Sequence, residues 1–258
     1  MKYFDAHNHV QDYGNESLLD AAMGAAAAAG VEAMACCGTS PLDWNQVIAV
    51  SLKYKSVIPF FGLHPWYLKE AAPGWLASLG SLLTRFPAGV GEIGLDGGRN
   101  AVGVLKQETA FVEQLQLAKK LGRPAAVHCV KSWGRLLELI RLVKPCPFML
   151  HSYGGPAEMV PELASLGAYF SFSGAILDPK RDKLRRALLA VPLERLLLET
   201  ESPEADAPGW RGGPAGITEV AAAAAAVLGR PAEELAGLSY NNGVEFVGEI
   251  TLSHYNYD

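Results

Sequence analysis

Two histidines one residue apart, His7 and His9 in the run Asp5-Ala-His7-Asn-His9, begin a set of side chains suited to holding a metal ion. Alternate residues of a strand face the same way, so both imidazoles can point inward together if this run is extended. Imidazole is a common ligand for zinc and similar ions, and two on one strand end form half a site. The same spacing also arises by accident, in which case the pair is two hydrogen-bonded polar residues. Residues farther along decide between these readings. Glu92 sits in Gly91-Glu92-Ile-Gly-Leu-Asp96, His128 closes Ala-Ala-Val-His128, His151 closes Phe-Met-Leu-His151, and Glu199 and Glu201 close Arg195-Leu-Leu-Leu-Glu199-Thr-Glu201. Each ends an apolar run, where a carboxylate is costly to bury unless it is paired or metal-bound. A single catalytic zinc takes three protein ligands plus water. His7, His9, Glu92, His128, His151 and Glu201 therefore suit two ions about 3.5–4 Å apart that share one carboxylate, with Glu92 as the natural bridge. Such His/carboxylate sites accept zinc, magnesium, manganese or iron, so the expectation is one or two divalent ions, with zinc, magnesium or manganese foremost.

These residues converge only if the elements between them bring the strand ends together. Strand-like runs are Tyr3 to His7, Ala33 to Cys37, Val57 to Gly62, Gly89 to Ile93, Ala125 to Cys129, Phe148 to Leu150, Tyr169 to Ser173 and Arg195 to Leu198. Helix-like segments separate them, around 17–29, 42–53, 74–85, 106–121, 133–142, 156–166 and 180–189, and a last helix around 218–228 follows the final strand. About eight strand–helix units point to a parallel sheet closed on itself, a (β/α)8 TIM-type barrel, whose strand ends open on one face where active sites sit. Phe111, Leu115, Ala118 and Leu121 fall at helical spacing and should pack on the barrel. Ser132 is placed to cap one helix, and Gly122 and Gly167 to end two others. No Pro/Gly/Ser linker divides the chain, so residues 1–250 are expected to form one domain, followed by a tail, 251–258, of no assigned role.

The chain of 258 residues is a usual length for such a barrel, and its 50% hydrophobic and 19% charged residues are an ordinary globular balance. A net charge of −5 excludes a protein that grips nucleic acid by a broad basic surface. It does not exclude phosphate-ester chemistry, because bound metal would supply local positive charge. Cys36, Cys37, Cys129 and Cys146 show no CxxC spacing and read as buried free thiols. The start MKYFDAHNHV lacks a signal-peptide pattern, and the alanine-rich runs are too short to span a membrane. A cytoplasmic enzyme with no membrane association and no stable protein partner is the expectation.

The ordered motifs resemble the TatD family of metal-dependent deoxyribonucleases, a branch of the amidohydrolase-like barrels. They are Asp5-Ala-His7-Asn-His9, Gly62-Leu-His64-Pro-Trp66, Gly91-Glu92-Ile-Gly-Leu-Asp96, Gln107…Phe111…Gln114-Leu-Gln-Leu-Ala118 and Pro124-Ala-Ala-Val-His128. His151-Ser-Tyr-Gly-Gly155, Gly167-Ala-Tyr-Phe-Ser-Phe-Ser-Gly174, Leu198-Glu199-Thr-Glu201-Ser-Pro203, and Asn241 with Phe246 complete the set. Each is weak alone, but the order over roughly residues 3–247 is specific. The resemblance implies that His7, His9, Glu92 and Glu201 hold one metal, and Glu92, His128 and His151 the other. It gives the catalytic work to Glu201, Glu92 and His64, with His64 touching substrate or water. It also implies cleavage of phosphodiester bonds in DNA, or of a small phosphodiester, by metal-activated water. Two departures stand out. Glu201 occupies a position where the family has Asp, and Val130 lies where the family commonly has a basic residue, with Lys131 next.

Two other functions fit the same residues: a related barrel acting on a small ester, lactone or amide, and a metal-binding protein without nuclease activity. Retention of all six candidate ligands argues against the second. The most basic stretch, Pro179-Lys-Arg-Asp-Lys-Leu-Arg-Arg186, could meet a nucleic-acid backbone or be a solvated helix face. Trp66, Trp133 and Tyr153 could stack on bases, with Trp133 better suited to the core. Glu199 shares a face with Glu201 and could support it from behind. Cys129 should point away from His128, and His254 in the tail has no reading.

Overall fold

The computed structural model describes residues 1–98, 103–203, 212–248 and 250. Its eight strands form one sheet in sequence order: β1 (Tyr3–Asn8), β2 (Val31–Cys37), β3 (Val57–Phe61), β4 (Gly89–Asp96), β5 (Ala125–Val130), β6 (Phe148–Leu150), β7 (Ala168–Phe172) and β8 (Leu196–Leu198). Each neighbouring pair is parallel. The sheet closes just past β8, where His9 N donates to Ser202 O at 2.6 Å and Glu201 N donates to His7 O at 3.1 Å. The result is the (β/α)8 barrel expected from the alternation.

The helices are α1 (Glu16–Ala29), α2 (Trp44–Lys53), α3 (Trp75–Arg85), α4 (Val104–Leu121), α5 (Trp133–Val143), α6 (Val160–Ser165), α7 (Asp182–Ala190), α8 (Ile217–Leu228) and α9 (Ala232–Val247). Asn15 caps α1 by accepting from Leu18 N, and Gly122 ends α4 in the left-handed region. Ser132 stands at the N-cap of α5 but its side chain makes no capping bond. The segment read as one helix over 156–166 is a 3₁₀ turn, Ala157–Met159, running into the short α6. None of the described helices is long and apolar enough to cross a membrane.

Side chains divide into two layers, as the pleat requires. Outward residues such as Val90, Ile93, Val127, Leu150 and Phe170 pack under the helices, where Phe111, Leu115 and Ala118 of α4 meet them. Inward residues Phe4, Phe60, Met149, Tyr169 and Leu197 fill the barrel, and Phe246 and Val247 from α9 pack on them. The reading of the sequence gave α9 no place. Its Gly237, Asn241, Asn242 and Gly243 are poor helix formers. Its buried residues Leu235, Ser239, Asn242 and Phe246 nevertheless repeat at helical spacing. Gly243 is required there, because a Cβ would lie 2.4 Å from Phe4 Cγ. Of the two adjacent asparagines, the buried one is Asn242 rather than Asn241; its Nδ2 donates to Leu193 O at 2.7 Å and Leu196 O at 2.9 Å. The tail 251–258, with His254, lies outside the described residues.

Candidate metal centre

At the carboxyl ends of the strands, Glu92 stands at the centre of the histidines. Its Oε2 lies 3.5 Å from His7 Nε2 and 3.4 Å from His9 Nε2. Its Oε1 lies 3.3 Å from His64 Nε2, 3.0 Å from His128 Nδ1 and 2.8 Å from His151 Nε2. Local chain geometry produces this placement. Val90 pairs with Ala125 and Ile93 with Val127, so β4 carries one extra residue against β5. Val90 and Ile93 both face the outer layer although they are three apart, which frees Glu92 to face inward.

The other candidates close around it. His7 Nε2 lies 3.2 Å from His9 Nε2, and His7 stacks on His151 with ring centroids 4.0 Å apart. Glu201 Oε2 reaches His7 Nε2 at 3.5 Å and His9 Nε2 at 3.7 Å, while its Oε1 lies 3.1 Å from His151 Nδ1. Glu201 stands beyond β8 at φ 57°, a conformation that favours Asp or Asn over longer side chains. Four groups have ligand atoms close enough to share an ion: His7/His9/Glu201, His7/Glu92/His151, His64/Glu92/His128 and His151/Glu199/Glu201. All six residues singled out as metal ligands are brought together. His64, expected to line the site and touch substrate, is almost fully buried and stands as close to Glu92 as the others do.

The surroundings orient these rings. His9 Nδ1 lies 2.7 Å from Cys37 O, which makes Nδ1 the protonated nitrogen and leaves Nε2 facing the site. His128 Nε2 faces Asp96 Oδ2 at 3.4 Å, and the same oxygen accepts from Trp66 Nε1 at 2.6 Å. Asp96 carried no role in the sequence reading, although it ends the strand that presents Glu92. Two buried glutamines of α4, seven residues apart on one helix face, hold the strand ends as a peptide would. Gln107 bonds both N and O of Asp96, at 2.7 and 3.1 Å, and Gln114 bonds both N and O of Leu63, at 2.7 and 3.1 Å. Asp5 was likewise passed over. It is fully buried and accepts from Thr200 N, Thr200 Oγ1 and Asn8 Nδ2. Tyr153 is buried with its hydroxyl donating to Pro156 O at 2.8 Å, so it offers no stacking surface.

Burial and neighbouring charge act oppositely across the cluster. Burial pushes His7 down to about 4. Burial opposes charge on His9 too, but Glu92 and Glu201 outweigh it and raise His9 to about 9. Burial disfavours ionised Glu92, yet the surrounding imidazoles hold it well below the usual carboxylate range. The two glutamates after β8 are driven apart. Burial pushes Glu199 up to about 7, whereas His151, His7 and His9 overcome burial at Glu201 and hold it near about 2. Glu201 is therefore the charged member of the pair, and Glu199, whose Oε2 accepts from Ser171 Oγ, stands behind it.

The donor set tests well for divalent metal. Four imidazoles and two carboxylates face one another with few other partners. Among the described residues, His7 Nδ1 and Glu199 Oε1 are buried without a hydrogen bond. A buried cluster of facing carboxylates and imidazoles suits added positive charge, and its oxygen and nitrogen donors suit borderline and hard divalent ions. A cavity of 200 Å³ opens above it, lined by His9, Asp12, Thr39, His64, Trp66, Tyr67, Glu92, His128, His151 and Glu201.

Comparison with known proteins follows the same line. The family model described as "TatD related DNase" matches residues 4–248. The metal-dependent hydrolase YjjV of Escherichia coli K12 is 30% identical over 249 residues, 93% of this chain and 96% of that protein. The 3'-5' ssDNA/RNA exonuclease TatD of Klebsiella pneumoniae is 35% identical over 189 residues, 71% of this chain and 72% of that protein. The crystal structure of YjjV superposes with a TM-score of 0.89 at 27% identity, covering 95% of this chain and 97% of that one.

Proposed function

The chain belongs to the TatD-related DNase family of metal-dependent hydrolases, and from that premise we propose that it cleaves phosphodiester bonds of single-stranded nucleic acid. The observation that carries this reading is the division of Glu92, with Oε2 toward His7 and His9 and Oε1 toward His64, His128 and His151. A carboxylate shared in this way suits two ions side by side, the arrangement that serves in-line displacement at phosphorus. In this reading His7, His9, Glu92 and Glu201 would hold one divalent ion and Glu92, His128 and His151 a second, with zinc, magnesium and manganese as the candidates. Bound metal supplies Lewis acidity and positive charge toward the phosphoryl oxygens. The chain does the rest. Glu201, whose carboxylate lines the cavity, accepts the proton of the attacking water. His64 lines the cavity beside Trp66, whose ring is 40% exposed at the mouth and can stack on a base. Asp96 holds His128 and Trp66 in register with each other.

The reading extends to residues 1–250 acting as one unit in the cytoplasm without a stable protein partner. The free thiols at Cys36, Cys37, Cys129 and Cys146 suit a reducing compartment. Hydrolysis of a small ester, lactone or amide is a second reading, favoured by the modest 200 Å³ of the cavity above the centre. Elemental analysis of protein purified without chelator, paired with assays on single-stranded DNA and on small esters, separates the two. Metal-loaded protein that turns over an ester or amide but no phosphodiester overturns the nuclease reading.

A further inference from the structure

Two clefts, of 390 and 560 Å³, share Gly154, Lys183 and Arg186 and so form one continuous groove. Its walls are the segments that follow β5, β6 and β7, at the same end of the barrel as the candidate metal centre. The inner end is Ser152, the residue directly after His151, with its Oγ 3.1 Å from Ser173 Oγ. The groove therefore starts where the candidate ligands end. Each volume falls in the range of pockets that hold small-molecule-sized groups, about 300–1,000 Å³.

The groove differs in charge from the rest of the chain. Among the described residues, Lys180, Arg181, Lys183 and Arg186 line it against only Glu158 and Asp182, in a protein of net charge −5. Arg181 faces Asp178 at 3.8 Å. Lys183 and Arg186, three residues apart on one face of α7, are exposed and have no carboxylate partner among the described residues. The cavity over the candidate metal centre, by contrast, has no lysine or arginine among the described residues that line it. Beside the two cations the groove is walled by Trp133, whose half-buried ring is fixed edge-on against Tyr153 at 4.8 Å between centroids. An aromatic ring next to exposed cations is the pairing used to hold a single strand, with cations along phosphates and rings against base faces.

We propose that this groove is a second binding site, which holds the flanking nucleotides of a single-stranded polynucleotide whose reacting phosphodiester lies at the metal centre. The proposal rests on the nuclease reading above. Lys183 and Arg186 each engage a backbone phosphate, and Trp133 takes the face of a base. A strand long enough to reach the groove is cleaved more efficiently than one that fills the centre alone.

The test uses metal-loaded protein and oligothymidylates of three and fifteen nucleotides, comparing kcat/KM for the long strand with that for the short one. The Lys183→Gln/Arg186→Gln double variant should lower this ratio about tenfold, on the order of two lost phosphate contacts. The salt dependence of the ratio should lose roughly 1.4 in logarithmic slope, about 0.7 per single-strand phosphate contact. A Lys55→Gln/Lys120→Gln variant, which removes equal charge at exposed positions elsewhere, should keep the wild-type ratio. If the wild type cleaves the long strand and the groove variant retains its ratio and slope, the groove proposal is overturned while the nuclease reading stands. An equal loss in the control variant overturns it too, as a general charge effect. A wild type that cleaves neither strand defeats the nuclease reading and the groove with it.

Discussion

Asp5 of β1 reaches across the barrel seam to Thr200, accepting from its backbone N with Oδ1 at 2.9 Å and from its Oγ1 with Oδ2 at 2.6 Å. These bonds stand beside the direct bond from Glu201 N to His7 O and brace the seam at which those two candidate ligands meet. They also close the barrel where β8 is only three residues long.

Asp5→Ala takes the acceptor from the buried Thr200 N and Asn8 Nδ2 and leaves Thr200 Oγ1 with Ser202 alone, each orphaned donor costing about 1–3 kcal/mol. A loss of about 2–4 kcal/mol in urea unfolding is expected, and a midpoint within error of wild type would show that the seam is held elsewhere.

Glu92→Gln keeps the volume but removes the charge shared by five histidines. Bound metal should fall by more than half and activity by at least about 10²-fold, with circular dichroism unchanged. Full metal content with full turnover would remove Glu92 from the bridging role.

The carboxylates after β8 are separated by comparing Glu201→Ala, Glu201→Asp and Glu199→Ala for turnover and bound metal. Glu201→Ala should lose about 10²–10⁴-fold, as removal of a general base does, or more if metal is lost. Glu201→Asp should be impaired less, because the left-handed conformation at φ 57° suits the shorter side chain while the pocket has formed around the longer one. A dead Glu199→Ala beside an active Glu201→Ala would reverse the assignment.

Asp96→Asn should weaken metal affinity or activity about 10–100-fold, because His128 loses the carboxylate facing its Nε2. The indole of Trp66 exchanges a carboxylate for a neutral amide at the same place, so its fluorescence should shift in the metal-free protein as well. An altered activity with unaltered Trp66 emission would mean that Asp96 does not couple the two.

Metal loading should fall as pH falls. A ligating imidazole must be unprotonated at the ligating nitrogen, and in the metal-free cluster Glu92 and Glu201, against burial, raise His9 to about 9. Below that value binding must expel a proton, so apparent affinity should rise with pH toward 9. Calorimetry in buffers of different ionisation enthalpy should report net proton release near pH 7. Binding without proton release there would contradict this.

The residues that converge at the candidate metal centre are legible in the sequence. Polar side chains at the ends of apolar runs stand out locally, and the alternation of strand and helix implies that those ends share one face. His7, His9, His128, His151, Glu92 and Glu201 followed from that pattern alone, because period and burial are properties of neighbouring residues. Three features needed the tertiary structure. The extra residue in β4 that turns Glu92 inward breaks the very alternation used to read the other strands. The clamp of Asp5 on Thr200 joins residues 195 apart in sequence, and no local pattern links such a pair. Helix α9 hid behind two glycines and two asparagines, because its stability comes from Gly243 packing on Phe4 and Asn242 bonding the start of β8 rather than from its own propensity. Local patterning sets which residues are buried and which face they take; distances between side chains far apart in sequence arise only when the barrel closes.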